Sequence, residues 1–260
     1  MATKQGNDRL AVLIDADQGQ HGVLQELMSE ISRYGTGTIK RAYGDWTEQN
    51  MSKWKGMLQA NAIQPVQQFR YTKGKNATDS ALIIDAMDVL HSGVVDGFCL
   101  VSSDSDFTRL ATRIREAGLA VYGFGMRTTP APFVAACDKF IYLEILKPEV
   151  EIQQVSVQTE IKETAAVPEA DEPAIAQIPE LQPLILSALE KTARDDGWST
   201  LAALGGQISR DHSSFDPRNY SFKRLSDLVR GQAYLQIKEV PTGENGQHVH
   251  LYVRRRPTAA

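Results

Sequence analysis

The chain has only two cysteines in 260 residues, Cys99 and Cys137, and neither sits in a CxxC pair. That scarcity excludes a disulfide framework, argues against a cysteine-type zinc site, and predicts a reduced, cytoplasmic protein. Long apolar runs are also missing. No stretch reaches the roughly 18 apolar residues of a membrane span, so no membrane association is expected. The first ten residues, MATKQGNDRL, lack the apolar core of a secretory signal. A strong excess of one charge is absent too, the net charge being -4. Residues 1–147 balance at 16 basic and 16 acidic side chains, and residues 180–260 carry 11 and 9. Residues 148–179 carry 1 and 7, so the acidic excess lies in the middle and says little about nucleic-acid binding by either end. That middle segment holds no aromatic residue and is rich in Glu, Gln, Pro and Ala. Such a composition cannot bury enough surface to fold and predicts a disordered linker. A flexible coil of that length spans on the order of 30 Å.

Before the linker, short apolar runs alternate with helical patterns. RLAVLID (9–15) ends in charge after a near-continuous apolar run, as a strand buried on both faces does. Residues 22–35 follow at helical spacing, then a strand over 36–46 and a helix over 47–62 with Thr47 as its N-cap. QPVQQFRY reads as a third strand, 77–93 as a helix, and DGFCLVSS as the most apolar strand. A helix over 106–118 and strands at LAVYGFG and 139–146 complete the series. Strands alternating with helices predict an α/β fold with a parallel sheet covered on both faces. Beyond the linker, helical patterns at 181–194, 199–210 and 217–231 precede AYLQIKEV and HVHLYVRRR, which flank a turn-rich PTGENGQ. Three helices and a hairpin predict a small winged-helix domain. The expected division is therefore 8–147, a linker over 148–179, and 180–256.

In such a sheet, ligands bind outside the carboxyl ends of the strands. Asp15 and Asp17 end the first strand, Asp104 and Asp106 end the most apolar one, and Asp79 opens a helix. Clustered carboxylates are costly: two at ~4 Å repel by about 4 kcal/mol at an effective dielectric near 20. A cation that neutralises them removes that cost, and all-oxygen ligands favour a hard ion, Mg²⁺ or Mn²⁺. Asp106 could instead simply cap the following helix. Asp85 and Asp88 fall on other faces of the helix that starts near Asp79. Lys75 and Asn76 precede Asp79 and could hold a phosphate. LIDADQG also carries the DxD of a haloacid-dehalogenase-type phosphatase, but Gly19 stands where that family has Thr or Val.

RLAVLIDAD, KGKNATDSALIIDAMD and GFCLVSSDSDFTRLATRIREAGLAVYGFG together resemble the NYN domains of the PIN-like nuclease superfamily. The resemblance implies a Rossmann-like sandwich and metal-dependent RNA cleavage. It assigns Asp15, Asp79, Asp104 and Asp106 as metal-binding, catalytic acids. Asp17, Gln18, Lys75, Asn76 and Ser103 flank them as expected substrate contacts. One departure is Gln18, where the family often has Asn. The C-terminal part resembles a LOTUS, or OST-HTH, domain through LQPLILSALEKTARDDGWSTLAALGGQI, NYSFKRLSDLVRGQAYLQI and HVHLYVRR. That resemblance implies binding of RNA, G-rich RNA included, or of a protein partner. Tyr220, Lys223, Arg224 and Arg254 are the expected RNA contacts there. The resulting expectation is a divalent-metal-dependent endoribonuclease with an RNA-recruiting module. The alternative is a non-catalytic adaptor for RNA or protein.

Overall fold

The computed structural model describes residues 8–17, 21–69, 77–147, 177–242 and 248–257. Gln18, Lys75, Asn76, most of the expected linker and the centre of PTGENGQ lie outside the described residues.

The apolar runs of the N-terminal part become parallel strands because a run buried on both faces needs helices on each side. The order is β1 (Arg9–Asp15), α1 (Leu24–Ile31), β2 (Thr36–Gly44), α2 (Trp54–Ala60), β3 (Gln64–Gln67), α3 (Ala77–Ser92) and β4 (Gly97–Val101). Then come α4 (Thr108–Glu116), β5 (Ala120–Gly125), α5 (Ala131–Ala136) and β6 (Lys139–Tyr142). Among the described residues these strands form one six-stranded sheet in the order β3-β2-β1-β4-β5-β6, every neighbouring pair parallel. Alternation splits β4 cleanly. Phe98 and Leu100 pack under α3, α4 and α5, while Cys99 and Val101 pack on the side of α1 and α2. The strand order reverses direction between β1 and β4. That switch point opens a crevice at their carboxyl ends.

Two expectations for this sheet need correction, and one helix is new. Residues 139–146 are not one strand: β6 stops at Tyr142 and Leu143–Leu146 coil as a 3₁₀ turn. Leu143 and Leu146, three apart, thereby both reach the α1 side of the core. Thr47 does not cap a helix. Its N–H and hydroxyl both donate to Asp45 Oδ1, at 3.2 and 2.6 Å, and a 3₁₀ segment, Gln49–Lys53, precedes α2. Six-residue α5, entered through Pro130, was not anticipated because it is too short to show a period.

The C-terminal unit holds α6 (Leu181–Thr192), β7 (Ser199–Thr200), α7 (Leu201–Asp211), α8 (Leu225–Arg230), β8 (Leu235–Thr242) and β9 (His248–Arg255). Its strands pair antiparallel in the order β7-β9-β8. Leu184, Ile185, Leu204, Ile208, Leu228 and Val253 form its core. The expected helix over 217–231 is broken. Pro217–Tyr220 make one 3₁₀ turn, Ser221 turns left-handed at φ 66°, and α8 starts only at Leu225. Lys223 and Arg224 therefore stand in the turn before α8, exposed, rather than on a helix.

This unit is docked on the sheet. Phe140, on edge strand β6, donates its N–H to Ser213 O at 3.0 Å, and the Lys139 ammonium donates to Phe215 O. Arg218 bridges two carboxylates: its guanidinium reaches Glu30 through two 2.9 Å bonds and Asp216 at 2.8 Å. Burial alone would push the Glu30 carboxyl up, but Arg218, helped by Arg33, holds it below the usual range. Asp216 is likewise buried yet held low, by the Arg218 side chain and N–H. Glu30 lies in the last turn of α1 and Lys139 begins β6. Both lie at the amino-terminal end of the strands, so the carboxyl-end crevice stays open.

Candidate active site

The carboxyl ends of β1 and β4 both lead to acids at the crevice. Asp15, the last residue of β1, is 1 % exposed and accepts a 3.0 Å hydrogen bond from Ser102 Oγ. The same Ser102 oxygen accepts from the Asp104 N–H at 3.1 Å. One hydroxyl therefore ties the ends of β1 and β4 together. Asp104 then accepts from the Asp106 N–H at 2.9 Å and caps the 3₁₀ turn Ser105–Phe107 that leads into α4.

Asp79 arrives from the first turn of α3. That turn is held by its neighbour: Thr78 Oγ1 donates to Asp17 Oδ2 at 2.8 Å. A carboxylate at a helix N-terminus is also favoured by the helix dipole. Asp17 Oδ1 accepts from the Asp45 N–H at 3.4 Å, a long contact. Asp45, 6 % exposed at the end of β2, accepts from Gln67 Nε2 at 2.9 Å and from Thr47.

As a result, one carboxylate oxygen from each of Asp79, Asp104 and Asp106 lies within 4.8 Å of the others. Asp79 and Asp104 are half-buried and Asp106 is exposed. Asp15 stands behind this trio, linked to it through Ser102, and is not part of the trio itself. Three carboxylates so close, with no nitrogen or sulfur ligand in the group, are a donor set for a hard divalent cation. Ser103 Oγ accepts from the Met126 N–H at 2.8 Å and so joins the rim to the end of β5. Asp85 is spent elsewhere, accepting from Arg41 and from the Tyr43 hydroxyl, each at 2.9 Å.

Ser102, Thr78 and Asp45 were not anticipated as parts of this rim. Asp45 had a readable signal: like Asp15, it follows an apolar strand end. Ser102 and Thr78 carried none, since a serine or threonine beside an acid is common in any turn.

The C-terminal residues named from sequence divide. Lys223 and Arg224 are exposed. Tyr220 is engaged internally: its hydroxyl donates to Pro179 O at 2.7 Å and its ring lies 6.0 Å from that of Phe215. Arg254 lies over the Trp198 ring, 4.5 Å from its centroid, and donates to Gln236 at 2.9 Å, while Tyr252, the second tyrosine with a ring for stacking on bases, lies under Arg194.

The NYN domain family model matches residues 9–144, just over half of the chain. The chain belongs to the NYN domain family. Its NYN domain is followed by an OST-HTH/LOTUS domain, matched over residues 176–246. A search of the curated proteins gave no match. Solved structures are similar in part. A protein of unknown function from Vibrio parahaemolyticus is 18% identical with a TM-score of 0.46, over 54% of this chain and 94% of that one. A fragment of a Chromobacterium violaceum protein is 36% identical over 31% of this chain and 85% of that chain, with a TM-score of 0.26. An uncharacterized protein from Nitrosomonas europaea is 28% identical over 39% of this chain and 96% of that one, with a TM-score of 0.28. Among the described residues, no helix is long and apolar enough to cross a membrane.

Proposed function

We propose that the protein is a ribonuclease that hydrolyses phosphodiester bonds with Mg²⁺ or Mn²⁺, and that its OST-HTH domain binds the RNA. The observation that carries this reading is the convergence of Asp79, Asp104 and Asp106 to within 4.8 Å at the switch point of an NYN sheet. A divalent ion held there supplies the charge neutralisation and water activation that phosphodiester hydrolysis requires. Asp79 and Asp104 would hold it directly. Asp106, the most exposed of the three, would complete the site or orient a water. Asp15 acts from behind: through Ser102 it fixes the turn that presents Asp104. Asp17 sets the first turn of α3 through Thr78 and so aims Asp79. Gln18, Lys75, Asn76 and Ser103 remain the proposed substrate contacts. The two functional units are proposed to divide at 147 and 180.

Asp17, the acid/base that a dehalogenase-type phosphatase would need, accepts from Thr78 and from a backbone N–H. Asp15, its nucleophile, is 1 % exposed. Both points weigh against that alternative.

The test is cleavage of labelled RNAs and single-stranded DNAs with Mn²⁺, Mg²⁺ or EDTA, comparing the natural chain with Asp104→Asn. Asparagine keeps the capping oxygen for the Asp106 N–H, so the turn survives while the charge is lost. Cleavage by the natural chain alone, abolished by EDTA, is expected. A pure natural chain that cuts nothing, or a variant that cuts equally well, would overturn the reading and favour an adaptor.

A further inference from the structure

The outer face of the wing sheet carries a second constellation, far in sequence from the acids. Alternation places Leu235, Ile237 and Val253 toward the domain core, which leaves Gln236, Lys238, Val240, His250, Tyr252 and Arg254 outward. No carboxylate stands among these six. Glu239 is on the other face, paired with Arg230 at 2.6 Å. Register sets Gln236 opposite Arg254 and Lys238 opposite Tyr252, and β7 brings Thr200 opposite Tyr252 from the other side.

The turn before β7 adds the rest. Arg194 donates its N–H to Trp198 O at 2.9 Å, and Gly197 closes the turn at φ +77°, where a side chain would be strained. The turn swings both flanking side chains onto the sheet. The Arg194 guanidinium lies 5.7 Å from the Tyr252 ring centroid, and Arg254 lies 4.5 Å from that of Trp198. The turn also carries Asp195 and Asp196; Asp196 accepts from the Trp198 N–H at 3.1 Å and is thereby drawn back into the turn. Two cation–ring pairs thus lie side by side, with Lys238 exposed beside them.

We infer that this face, Arg194, Trp198, Lys238, Tyr252 and Arg254, is the docking surface for single-stranded RNA. Ring faces and guanidinium planes stack on unpaired bases whatever their identity, and the cations meet the phosphates. Tyr252 and Arg254 are two residues apart on one strand, about 7 Å. A stacked base is about 3.4 Å thick, so the two pairs receive separate bases. Three cations gathered around two rings, with no carboxylate on the sheet face, favour a polyanion over a protein partner of ordinary composition. The inference rests on the RNA reading of the OST-HTH domain, not on the acidic site. It keeps Tyr252 as a stacking residue and puts Trp198 in place of Tyr220, whose hydroxyl is committed to Pro179.

The test uses the full chain in EDTA, so that cleavage plays no part. Binding of a labelled single-stranded RNA of about 12 nucleotides, within the span of such sites, is followed by anisotropy at several salt concentrations. Trp198→Ala should weaken binding by about five- to a hundredfold, and Trp198→Phe should restore most of it. The triple variant Arg194→Gln, Lys238→Gln, Arg254→Gln should lower the slope of log affinity against log salt by about 2. It removes side chains outside the core and so guards against a Trp198→Ala chain that folds poorly. Triple-variant binding and salt slope equal to those of the natural chain would overturn the assignment and open the face to a protein partner. Equal weakening of single-stranded and duplex RNA in Trp198→Ala would overturn base stacking. A chain that binds through this face but never cuts would sink only the nuclease reading.

Discussion

At the scale of single residues, the rim depends on atoms with two jobs. Ser102, 7 % exposed, donates to Asp15 and accepts from the Asp104 N–H. Ser102→Ala removes both bonds at once and leaves buried groups short of a partner. It is expected to cost about 1–3 kcal/mol in urea unfolding and to lower any metal-dependent cleavage. A stability change near zero would show that neither bond matters. Asp104 is a cap as well as an acid. Asp104→Ala should cost about 1 kcal/mol through the lost cap, whereas Asp104→Asn should be close to neutral. Equal melting temperatures for the two variants would contradict the capping role. The cysteines, by contrast, are inert: both are buried, and burial pushes the thiols of Cys99 and Cys137 well up.

At the scale of elements, the crevice is built by strand ends that come unusually close. Gly125 closes β5 beside the rim. A Cβ there would lie 2.6 Å from Ser102 O and 2.7 Å from Thr129 Oγ1. Because the first is backbone, Gly125→Ala must push β5 away from the turn that carries Ser102 and Ser103. A loss of about 1–3 kcal/mol in chemical denaturation is expected, with weaker metal binding by calorimetry. Unchanged values for both would mean that the strand ends yield easily. The short 3₁₀ turns serve the same design. The turn Ser105–Phe107 leads directly into α4, which keeps Asp104 and Asp106 at the rim.

At the scale of the whole molecule, the OST-HTH unit is seated on the sheet through Arg218. Glu30 is 5 % exposed, so Arg218→Met would leave this buried carboxylate with only Arg33 and the Tyr34 hydroxyl, at a cost on the order of 3 kcal/mol. The expected outcome is undocking, seen as a larger radius of gyration in small-angle scattering. No change would show that the main-chain bond from Phe140 to Ser213 suffices. The docking should also depend on pH. Glu30 and Asp216 have lowered pKa values when docked. Their contribution is complete above the ordinary carboxylate range, near 4, and is lost as pH falls through the lowered values. The natural chain should therefore expand on acidification, and Arg218→Met much less.

The sequence by itself determined the alternation of strand and helix and the acids at strand ends. It could do so because apolar period and strand-end placement are local properties. The placement of Asp15 and Asp104 at strand ends, and of Asp79 at the start of α3, was legible for that reason. Only the tertiary structure decided which acids meet. The trio is Asp79, Asp104 and Asp106, with Asp15 behind Ser102, because closeness depends on how β1, α3 and β4 pack and not on spacing along the chain. The same holds for the wing face. Arg194 and Trp198 flank one turn, but Tyr252 and Arg254 lie far along the chain, and the pairing of β7 with β9 brings them to it. The docking ion pair of Glu30 and Arg218 spans 188 positions, a separation over which no periodicity carries information.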